Sequence, residues 1–420
     1  MSDRPRRIAV LTDTTDWSIR PPGSKSETIR ALAAAAMAEG RSHLYMPLRA
    51  DDPAAMVGAL QKLGIAVNPD SEPLVVDGLG GRLRPSARPI DVNESGLTAR
   101  ILLAMAGSLD GATRIEGRGR LPQRPMGGIV EVLRSQGVDV SGDRLPIEIT
   151  GRGRLWGGQL TVDCSQSSQF ATAVMLVAPL MHEPCVLEVA GLTGSAGYLE
   201  VTAATMRRFG ARLERTVTGY EIANHGYQPA DVVIEPDASA AVYPMAIAAI
   251  SRGRVVIEGL SASSAQPDLK VASVLEAMGC VVEWGSHRVT VDARDVDLEG
   301  VDVDMSDAPD GSLGLAVVCL FATGSSRVTG LSSLRHKESD RLRAIGEEIR
   351  RIGGDVEVGD DFLHITPGPL HGAEIDPHGD HRIAMAMATV GTRVAGVEVS
   401  DPDVVTKTWP GFWDLLDKLA

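Results

Sequence analysis

The sequence predicts an α/β protein of two domains, each built from three copies of one repeat. Three observations support this prediction. A chain of 420 residues is long for a single hydrophobic core. An amphipathic helix pattern that ends in Gly recurs along it, and a second series of helices, apolar nearly all round, lies between the copies. A period of roughly 70 residues gives six units, so three units per domain is the natural division.

The amphipathic helices share a polar start, a helix-period apolar stripe, a Gly and a short strand-like piece. They read DDPAAMVGALQKLGIAV, RPMGGIVEVLRSQGVDV, YLEVTAATMRRFGARLE, PDLKVASVLEAMGCVVE and ESDRLRAIGEEIRRIGGDVEV. A Gly at such a place is typical of a left-handed helix cap. The intervals are 73, 73, 69 and 74 residues between Gly64, Gly137, Gly210, Gly279 and Gly353. FWDLLDKL, near the C-terminus, is a truncated sixth copy.

The apolar series predicts six buried helices, each followed by a short β-branched strand. These helices begin in PGSKS, NESG, CSQSSQ, PDASA, APDGS and HGDHR. Ser, Asp, Asn and Gly are common caps, so any single start could be a cap and nothing more. Several starts also carry a Lys, an Arg or a carboxylate that a cap does not require. Because helix N-termini offer N–H groups and a positive dipole end, the set predicts sites for anions.

Composition excludes several classes of partner. The formal net charge of −14 would repel a nucleic acid or an anionic membrane, so an anionic small ligand must meet a local cluster of Lys and Arg. The scattered cysteines, Cys164, Cys185, Cys280 and Cys319, predict reduced thiols. Neither a secretory signal nor an apolar run approaching 18 residues is present, so we expect a cytoplasmic protein.

The stretch RPPGSKSETIR, residues 20–30, resembles half a nucleotide-binding loop. A P-loop would need glycines where Ile19 and Ser24 stand, so a mononucleotide fold is not supported. What remains is Lys25, Ser26 and Arg30 at a Gly-opened helix start. Two cations and a hydroxyl at one place suit a phosphate or a carboxylate.

Seven ordered blocks resemble the 5-enolpyruvylshikimate-3-phosphate synthase family: PGSKS with an Arg four residues later, RPMGGIVEVLRSQG, SSQFATAVML, PDGSLGLAVVCLFA, HKESDRLRAIGEEI, DHRIAMAMA and KTWPGF. The resemblance implies the two-domain enolpyruvyl-transferase fold, an inside-out α/β barrel of six βαβαββ-type repeats, three per domain. It implies a shikimate-phosphate domain over residues 20–232. Residues 1–19 with 233–420 would form the domain for phosphoenolpyruvate and the catalytic carboxylates, with the active site in the interdomain cleft.

The activity that the resemblance implies is transfer of the enolpyruvyl group of phosphoenolpyruvate to the 5-hydroxyl of shikimate 3-phosphate. Inorganic phosphate is released through a tetrahedral intermediate, in the shikimate pathway to chorismate and aromatic amino acids. No metal or organic cofactor is implied, and neither nucleic acid nor a membrane is expected as a partner. A monomer is the family expectation.

The resemblance also assigns site residues. Asp310 matches the base for the hydroxyl and Glu338 the proton donor to the methylene carbon, with Lys25 as a third catalytic group. The shikimate 3-phosphate set is Lys25, Ser26, Arg30, Ser167, Ser168, Gln169, Ser195, Tyr198, Asp310, Ser333 and Lys337. The phosphoenolpyruvate set is Lys25, Gly96, Arg124, Gln169, Arg341, Arg382 and Lys407. From its own motif, Glu338 could instead be a helix-start carboxylate paired with Lys337 or Arg341.

Three nearby residues are expected to have no direct role. His381, at a helix start, is interpreted as structural, and His336 as exposed. Nothing in the sequence near Cys164 would activate its thiol.

The chain departs from the family pattern mainly at positions that concern the acceptor. Glu94 and Leu97 stand in NESGL where N-[AS]-G-T is usual, and Ser333 stands where Asn is common. Ile29 also replaces an Asn, and the loop at Ala196 lacks the usual basic residue and Pro. A paralogue of secondary metabolism therefore stays open, acting on a related shikimate-derived acceptor by transfer or by phosphate elimination.

Two further alternatives are less favoured. The sister transferase that acts on a uridine-diphosphate amino sugar carries a PGAKN-like opening and a reactive loop Cys, whereas GATRIEGRGRLPQRP has none. A non-catalytic binding protein on this scaffold would be expected to lose Asp310, Glu338 or Lys25, and all three are present.

Overall fold

The computed structural model describes residues 5–11, 16–192 and 194–420. Over these ranges it contains twelve α-helices and 23 β-strands in six sheets. The helices are α1 Lys25–Met37, α2 Asp51–Lys62, α3 Gly96–Gly107, α4 Gly127–Ser135, α5 Gln169–Val177, α6 Gly197–Arg208, α7 Ala238–Ile250, α8 Lys270–Ala277, α9 Ser312–Cys319, α10 Arg341–Arg351, α11 His381–Gly391 and α12 Phe412–Leu419.

The strands are short, as expected for a repeated βαβ architecture. They are β1 Arg6–Arg7, β2 Asp16–Ile19, β3 Glu39–Tyr45, β4 Ala66–Asn68, β5 Leu74–Leu79, β6 Ile90–Asp91, β7 Asp110–Glu116, β8 Asp139–Val140, β9 Ile147–Arg152, β10 Gly158–Asp163, β11 Cys185–Ala190, β12 Leu213–Arg215, β13 Gly219–Ile222, β14 Asp231–Val233, β15 Arg254–Glu258, β16 Val281–Trp284, β17 Arg288–Asp292, β18 Asp302–Asp304, β19 Ser326–Thr329, β20 Asp355–Val358, β21 Leu363–Thr366, β22 Glu374–Ile375 and β23 Glu398–Val399.

The chain divides into two compact units, Gly23–Ile234 and Met1–Pro22 with Glu235–Ala420. We call them the central unit and the terminal unit. Two strands show why the division is discontinuous in sequence. β2 pairs in parallel with β15 in the terminal unit, and β14 pairs in parallel with β3 in the central unit. Each strand thus completes a sheet whose other strands come from a distant part of the chain.

One connectivity recurs through the sheets. In the sheet β6-β7-β9-β8, the first pair is parallel and the next two pairs are antiparallel, with α3 and α4 inserted after β6 and β7. This is a βαβαββ unit. Over the described residues, the other four four-stranded sheets repeat the pairing, and the three-stranded sheet β1-β23-β22 keeps one parallel and one antiparallel pair. The predicted α/β fold of six repeats is confirmed.

The apolar helices form the interior of each unit. In the central unit α1, α3 and α5 pack against one another, and in the terminal unit α7, α9 and α11 do the same. Every residue of α3, α7, α9 and α11 is buried, which explains why their sequences lack a polar face. Among the described residues, none of these or the other helices has the length and apolarity to cross a membrane.

The amphipathic helices end as the sequence predicts. The backbone φ angles are 92° at Gly64, 79° at Gly137, 77° at Gly210, 105° at Gly279 and 83° at Gly353. A side chain is disfavoured in this left-handed region, so Gly allows the chain to turn from each helix toward the next strand.

Candidate active site

The candidate residues fall into two groups, one in each unit. The terminal-unit group surrounds Asp310, which lies just before α9, and we call it the Asp310 cluster. Its members come from the starts of three helices: Asp310 before α9, Lys337, Glu338 and Arg341 at the start of α10, and Asp380 and Arg382 at the start of α11. The predicted convergence of helix starts is confirmed within this unit.

Asp310 is held by three cations. Its Oδ1 lies 3.0 Å from Lys337 Nζ and 3.0 Å from Arg341 Nη1, and its Oδ2 lies 3.4 Å from Arg382 Nη2. Burial by itself would raise the pKa of Asp310, but these three cations outweigh it and hold the pKa well below its usual range. The carboxylate is therefore ionised at neutral pH.

Arg341 is the centre of the cluster. Its side chain is 1% exposed, and besides Asp310 it reaches Glu338 Oε2 at 2.8 Å and both oxygens of Asp380 at 2.7 and 3.2 Å. Burial would lower the pKa of Arg341, but Asp380, Glu338 and Asp310 raise it above its ordinary value. The ion pair of Glu338 with Arg341 is thus present, as the alternative interpretation of Glu338 predicts.

Of the other two cations, Arg382 is buried and Lys337 is partly exposed. Burial would lower the pKa of Arg382, but Asp310 and other nearby groups hold it well above the ordinary value. For Lys337 burial is the larger effect and lowers the pKa, although Asp310 opposes it. Three cations and three carboxylates therefore balance in a compact cluster that is buried at Arg341 and Asp380 and partly exposed at Asp310.

Four residues lie beside the cluster. Lys407 is buried at the end of a short 3₁₀ helix, 402–407, that packs against α11. Ser333 stands on another 3₁₀ helix, 332–336, and its hydroxyl is buried without a protein partner among the described residues. His381 is fully buried with Nδ1 3.6 Å from Asp380 Oδ1, as a structural role predicts. His336 is exposed, as predicted.

The central-unit group contains a second buried cationic site, at the start of α3. Arg100 donates to Gln169 Oε1 at 2.9 Å, to Gly96 O at 3.0 Å and to Pro125 O at 2.8 Å. Gly96 leaves no room for a larger residue: an added Cβ would lie 2.7 Å from Arg124 Nη1 and 2.8 Å from Arg100 Nη1. Gly96, Arg124 and Gln169 are therefore neighbours, with Arg100 between them.

Arg30 joins the starts of three helices. It is 1% exposed and makes five hydrogen bonds, all to neutral acceptors. Two go to Ser26, two to the hydroxyls of Thr172 and Thr202 at 3.3 and 2.8 Å, and one to the carbonyl of Tyr198 at 3.4 Å. Burial lowers the pKa of Arg30 to about 10, so it stays cationic at neutral pH.

Lys25, the first residue of α1, lies with Nζ 3.4 Å from Asp52 Oδ2, and Asp52 is itself buried. Ser24 caps α1 by accepting from the backbone N–H of Glu27 at 3.3 Å. The lysine therefore stands at a helix N-terminus next to a carboxylate that the motif analysis did not identify.

The hydroxyl residues of the central unit lie at helix starts. Ser167 Oγ accepts from the N–H of Gln169 at 3.3 Å, and Ser168 is the buried N-cap of α5. Ser195 is left-handed with φ 65°, and its carbonyl accepts from the N–H of Tyr198 at 3.2 Å. These serines thus lie within two residues of α5 and α6.

The departures from the family pattern have different surroundings. Ile29 is fully buried in the core, and Leu97 is nearly so. The Glu94 carboxylate lies against Gly119, where a side chain would collide with it. Ala196 is the N-cap of α6. Cys164 is also buried, which raises the pKa of its thiol to about 12, in agreement with the absence of any activating group.

Sequence reasoning missed Asp380, Arg100 and Asp52. Asp380 had a local signal, because it is the N-cap of α11 and accepts from the N–H of Arg382. Asp52 also lies at a helix start, in α2. Arg100 lies inside an apolar helix, where a lone Arg that is fully buried is unusual enough to indicate a functional contact.

Comparison with known proteins places this arrangement in a family. Residues 13–416 match the model of the family described as EPSP synthase (3-phosphoshikimate 1-carboxyvinyltransferase). The chain belongs to the EPSP synthase family. A relative named 3-phosphoshikimate 1-carboxyvinyltransferase from Methanoculleus marisnigri is 40% identical, over 96% of this chain and 97% of the relative. Proteins of the same name from Methanoregula boonei and Pseudoalteromonas translucida are 37% and 36% identical, each over 96% of this chain.

Solved structures of the EPSP synthase family and its kin share the fold. EPSP synthase from Acinetobacter baumannii gives a TM-score of 0.83 at 24% identity and covers 99% of this chain and 98% of that one. The enolpyruvyl transferase NikO from Streptomyces tendae gives 0.77 at 17% identity and covers 100% of this chain and 98% of that one. The predicted enolpyruvyl-transferase fold is thereby confirmed.

Proposed function

We propose that this protein is a 3-phosphoshikimate 1-carboxyvinyltransferase, which transfers the enolpyruvyl group of phosphoenolpyruvate to the 5-hydroxyl of shikimate 3-phosphate. Near-full-length membership of the EPSP synthase family supports the reaction. The structural observation that supports it most is the Asp310 cluster, where the carboxylate of Asp310 and a second acid, Glu338, contact the same arginine, Arg341.

The two carboxyl groups fit the two proton transfers that the reaction needs. The oxygen of the 5-hydroxyl attacks C2 of phosphoenolpyruvate and gives its proton to Asp310, while Glu338 gives a proton to C3. The result is a tetrahedral intermediate with a methyl group. Glu338, now a carboxylate, takes a proton back from that methyl, and cleavage of the bond from C2 to the phosphate oxygen releases phosphate and restores the carbon–carbon double bond.

The cations around Asp310 set when it can act as a base. Contact with Lys337, Arg341 and Arg382 lowers the pKa of Asp310, which makes it a weaker base. The phosphate and carboxylate of phosphoenolpyruvate would take up part of that positive charge. Binding of the anionic substrate then raises the pKa of Asp310 and makes it a stronger base when the hydroxyl is present.

The remaining residues supply recognition. Phosphoenolpyruvate would be bound by Lys25, Gly96, Arg124, Gln169, Arg341, Arg382 and Lys407. Shikimate 3-phosphate would be bound by Lys25, Ser26, Arg30, Ser167, Ser168, Gln169, Ser195, Tyr198, Asp310, Ser333 and Lys337. Lys25 and Gln169 would thus contact both substrates. Arg30 makes five hydrogen bonds to neutral acceptors and has Glu27 as a nearby anion, and its positive charge would attract an anionic acceptor. A cytoplasmic monomer is the expected form of the enzyme.

Phosphate release tests the proposal. The purified protein is mixed with phosphoenolpyruvate alone, with shikimate 3-phosphate alone, and with both. Release that requires both substrates is expected. Release from shikimate 3-phosphate alone would show the elimination reaction of a paralogue, and binding of both ligands without release would show a binding protein.

A further inference from the structure

Asp268 is a buried carboxylate outside the predicted site. It lies on the 3₁₀ helix Pro267–Leu269, just before α8, and is 1% exposed. Its Oδ1 accepts from the backbone N–H of Gly311 at 2.9 Å, and its Oδ2 accepts from the hydroxyl of Ser239. Burying a carboxylate costs free energy unless hydrogen bonds satisfy it. The position of Asp268 is therefore explained by the groups that donate to it.

The bond to Gly311 reaches the base directly. The N–H of Gly311 belongs to the peptide that joins it to Asp310. It donates to Asp268 at 2.9 Å and, over a longer distance of 3.2 Å, to the carbonyl of Ala308, so Asp268 is its nearer acceptor and helps to orient that peptide plane. Gly311 is the N-cap of α9 and has no side chain with which to cap the helix. Asp268, from a distant segment, accepts from the N–H of this N-cap residue, as the N3 carboxylate of a capping box does.

The backbone at Gly311 is also closely packed against the segment that carries Asp268. A Cβ added at Gly311 would lie 2.8 Å from Val271 Cγ2 and 3.2 Å from Asp268 Oδ1. The same segment also binds the start of α7, because Gln266 Oε1 accepts from the N–H of Ala238 at 3.0 Å. Residues 266–268 therefore join the starts of α7 and α9.

Asp268 also faces one of the cations around Asp310. Burial would lower the pKa of Arg382, but Asp310 first, and Asp237 and Asp268 among others, hold it well above its ordinary value. Asp268 thus acts on both members of the contact between Asp310 and Arg382.

We infer that Asp268 is a positioning residue for the base: by holding the N–H of Gly311 it orients the Asp310 carboxylate for proton abstraction. The inference rests on the proposed function. It predicts that Asp268 influences the chemical step more than substrate binding, because its hydrogen bonds go to Gly311 and Ser239, neither of which is assigned to bind substrate.

Two substitutions of Asp268 distinguish the effect of its hydrogen bonds from the effect of its charge. Asp268→Ala removes both hydrogen bonds. Asp268→Asn can keep them, since its carbonyl can accept from Gly311 and its amide can donate to the Ser239 hydroxyl. We expect kcat to fall about 100-fold in the alanine variant with each KM within threefold of the wild type. The kcat of the asparagine variant should be at least about tenfold higher than that of the alanine variant.

Asp292→Asn is the matched control in the same unit, because its carboxylate accepts from the backbone N–H of Arg294 at 3.1 Å but lies at the end of β17. Its kcat and KM values should equal those of the wild type. An alanine variant of Asp268 that is folded and keeps kcat within threefold would overturn the inference. So would a loss that appears only in KM, or one that asparagine does not recover.

Hydrogen exchange gives a second readout, which does not require the alanine variant to fold. The Gly311 amide should exchange about tenfold faster in Asp268→Asn than in the wild type, because a neutral acceptor holds it less strongly. Asp292→Asn should leave that amide unchanged. Equal exchange in Asp268→Asn and the wild type would overturn the inference. If the wild type forms no enolpyruvyl ether from the two substrates, the proposed function is wrong. If the wild type is active and the variants give these negative results, only the inference about Asp268 is wrong.

Discussion

Arg341 and Asp380 form a bidentate ion pair in the interior of the terminal unit. Arg341 Nε donates to Oδ2 at 2.7 Å and Nη2 donates to Oδ1 at 3.2 Å, with side chains 1% and 0% exposed. The pair fixes the plane of a guanidinium that also contacts Asp310 and Glu338. Asp380 therefore orients the arginine that holds both proposed proton-transfer groups.

Replacing Arg341 with Lys should disable the cluster although the charge is kept. A single ammonium cannot reproduce the planar contacts to three carboxylates. We expect kcat/KM for phosphoenolpyruvate to fall at least about 100-fold, measured by phosphate release. Arg343→Lys is the control on the same helix, because Arg343 is 72% exposed and pairs with Glu347 at the surface. Equal activity of the two variants would contradict this role.

Asp310→Asn should abolish turnover and destabilise the protein. Loss of the base is expected to cost about 10²–10⁴-fold in kcat. Loss of the anion leaves Lys337, Arg341 and Arg382 without their common partner, at a cost of about 3 kcal/mol in the free energy of unfolding. Inorganic phosphate should therefore raise the melting temperature of the variant more than that of the wild type. A smaller rise in the variant would speak against the cationic cluster as an anion site.

Ligand binding should shift the pKa of Asp310. Its folded pKa is depressed, so its contribution to stability is present above the unfolded pKa of about 4 and is lost only as the pH falls through the lower folded value. Carbon-13 NMR of labelled aspartate carboxyl groups, assigned with Asp310→Asn, measures this. Without ligand, Asp310 should stay ionised well below pH 4, and saturating sulfate should raise its pKa. Titration near pH 4 without any anion would refute this account.

Much of the fold could be predicted because its signals are local. The cap at Gly64 and its four counterparts need only a helix period followed by a left-handed residue, and α7 is recognisable because it lacks any polar face. The pairing of β2 with β15 has no local signal, because strands of four and five residues do not identify their partners. That the first residues belong with the second half of the chain was expected only from the family resemblance.

The site was less predictable, because its contacts join distant parts of the chain. Arg30 could be identified as a cation at a helix start, but its bond to Thr202 spans 172 residues. Asp380 could be identified as a cap, but its pair with Arg341 depends on how α10 and α11 pack. Motifs indicate which side chains belong to the site, whereas the packing of distant segments determines which acceptors those side chains contact.

Gly96→Ala should weaken phosphoenolpyruvate binding without unfolding the protein. The new methyl would meet the ends of Arg124 and Arg100, which can move aside, so the guanidinium groups shift while the core stays intact. We expect KM for phosphoenolpyruvate to rise about tenfold, with little change in the melting temperature. Gly58→Ala, in α2, is the control, because nothing lies within 4 Å of the added Cβ. A wild-type KM in Gly96→Ala would contradict the placement of this residue.

The central claim is that the chain transfers an enolpyruvyl group by way of Asp310 and Glu338. The most direct measurement is proton NMR of the product formed from phosphoenolpyruvate and shikimate 3-phosphate in D₂O. The account predicts a 5-enolpyruvyl ether with deuterium in its vinyl group, because a solvent deuteron passes through Glu338 to C3, and it predicts no product from Glu338→Gln. Absence of the ether in the wild type, or phosphate lost from shikimate 3-phosphate without phosphoenolpyruvate, would contradict it.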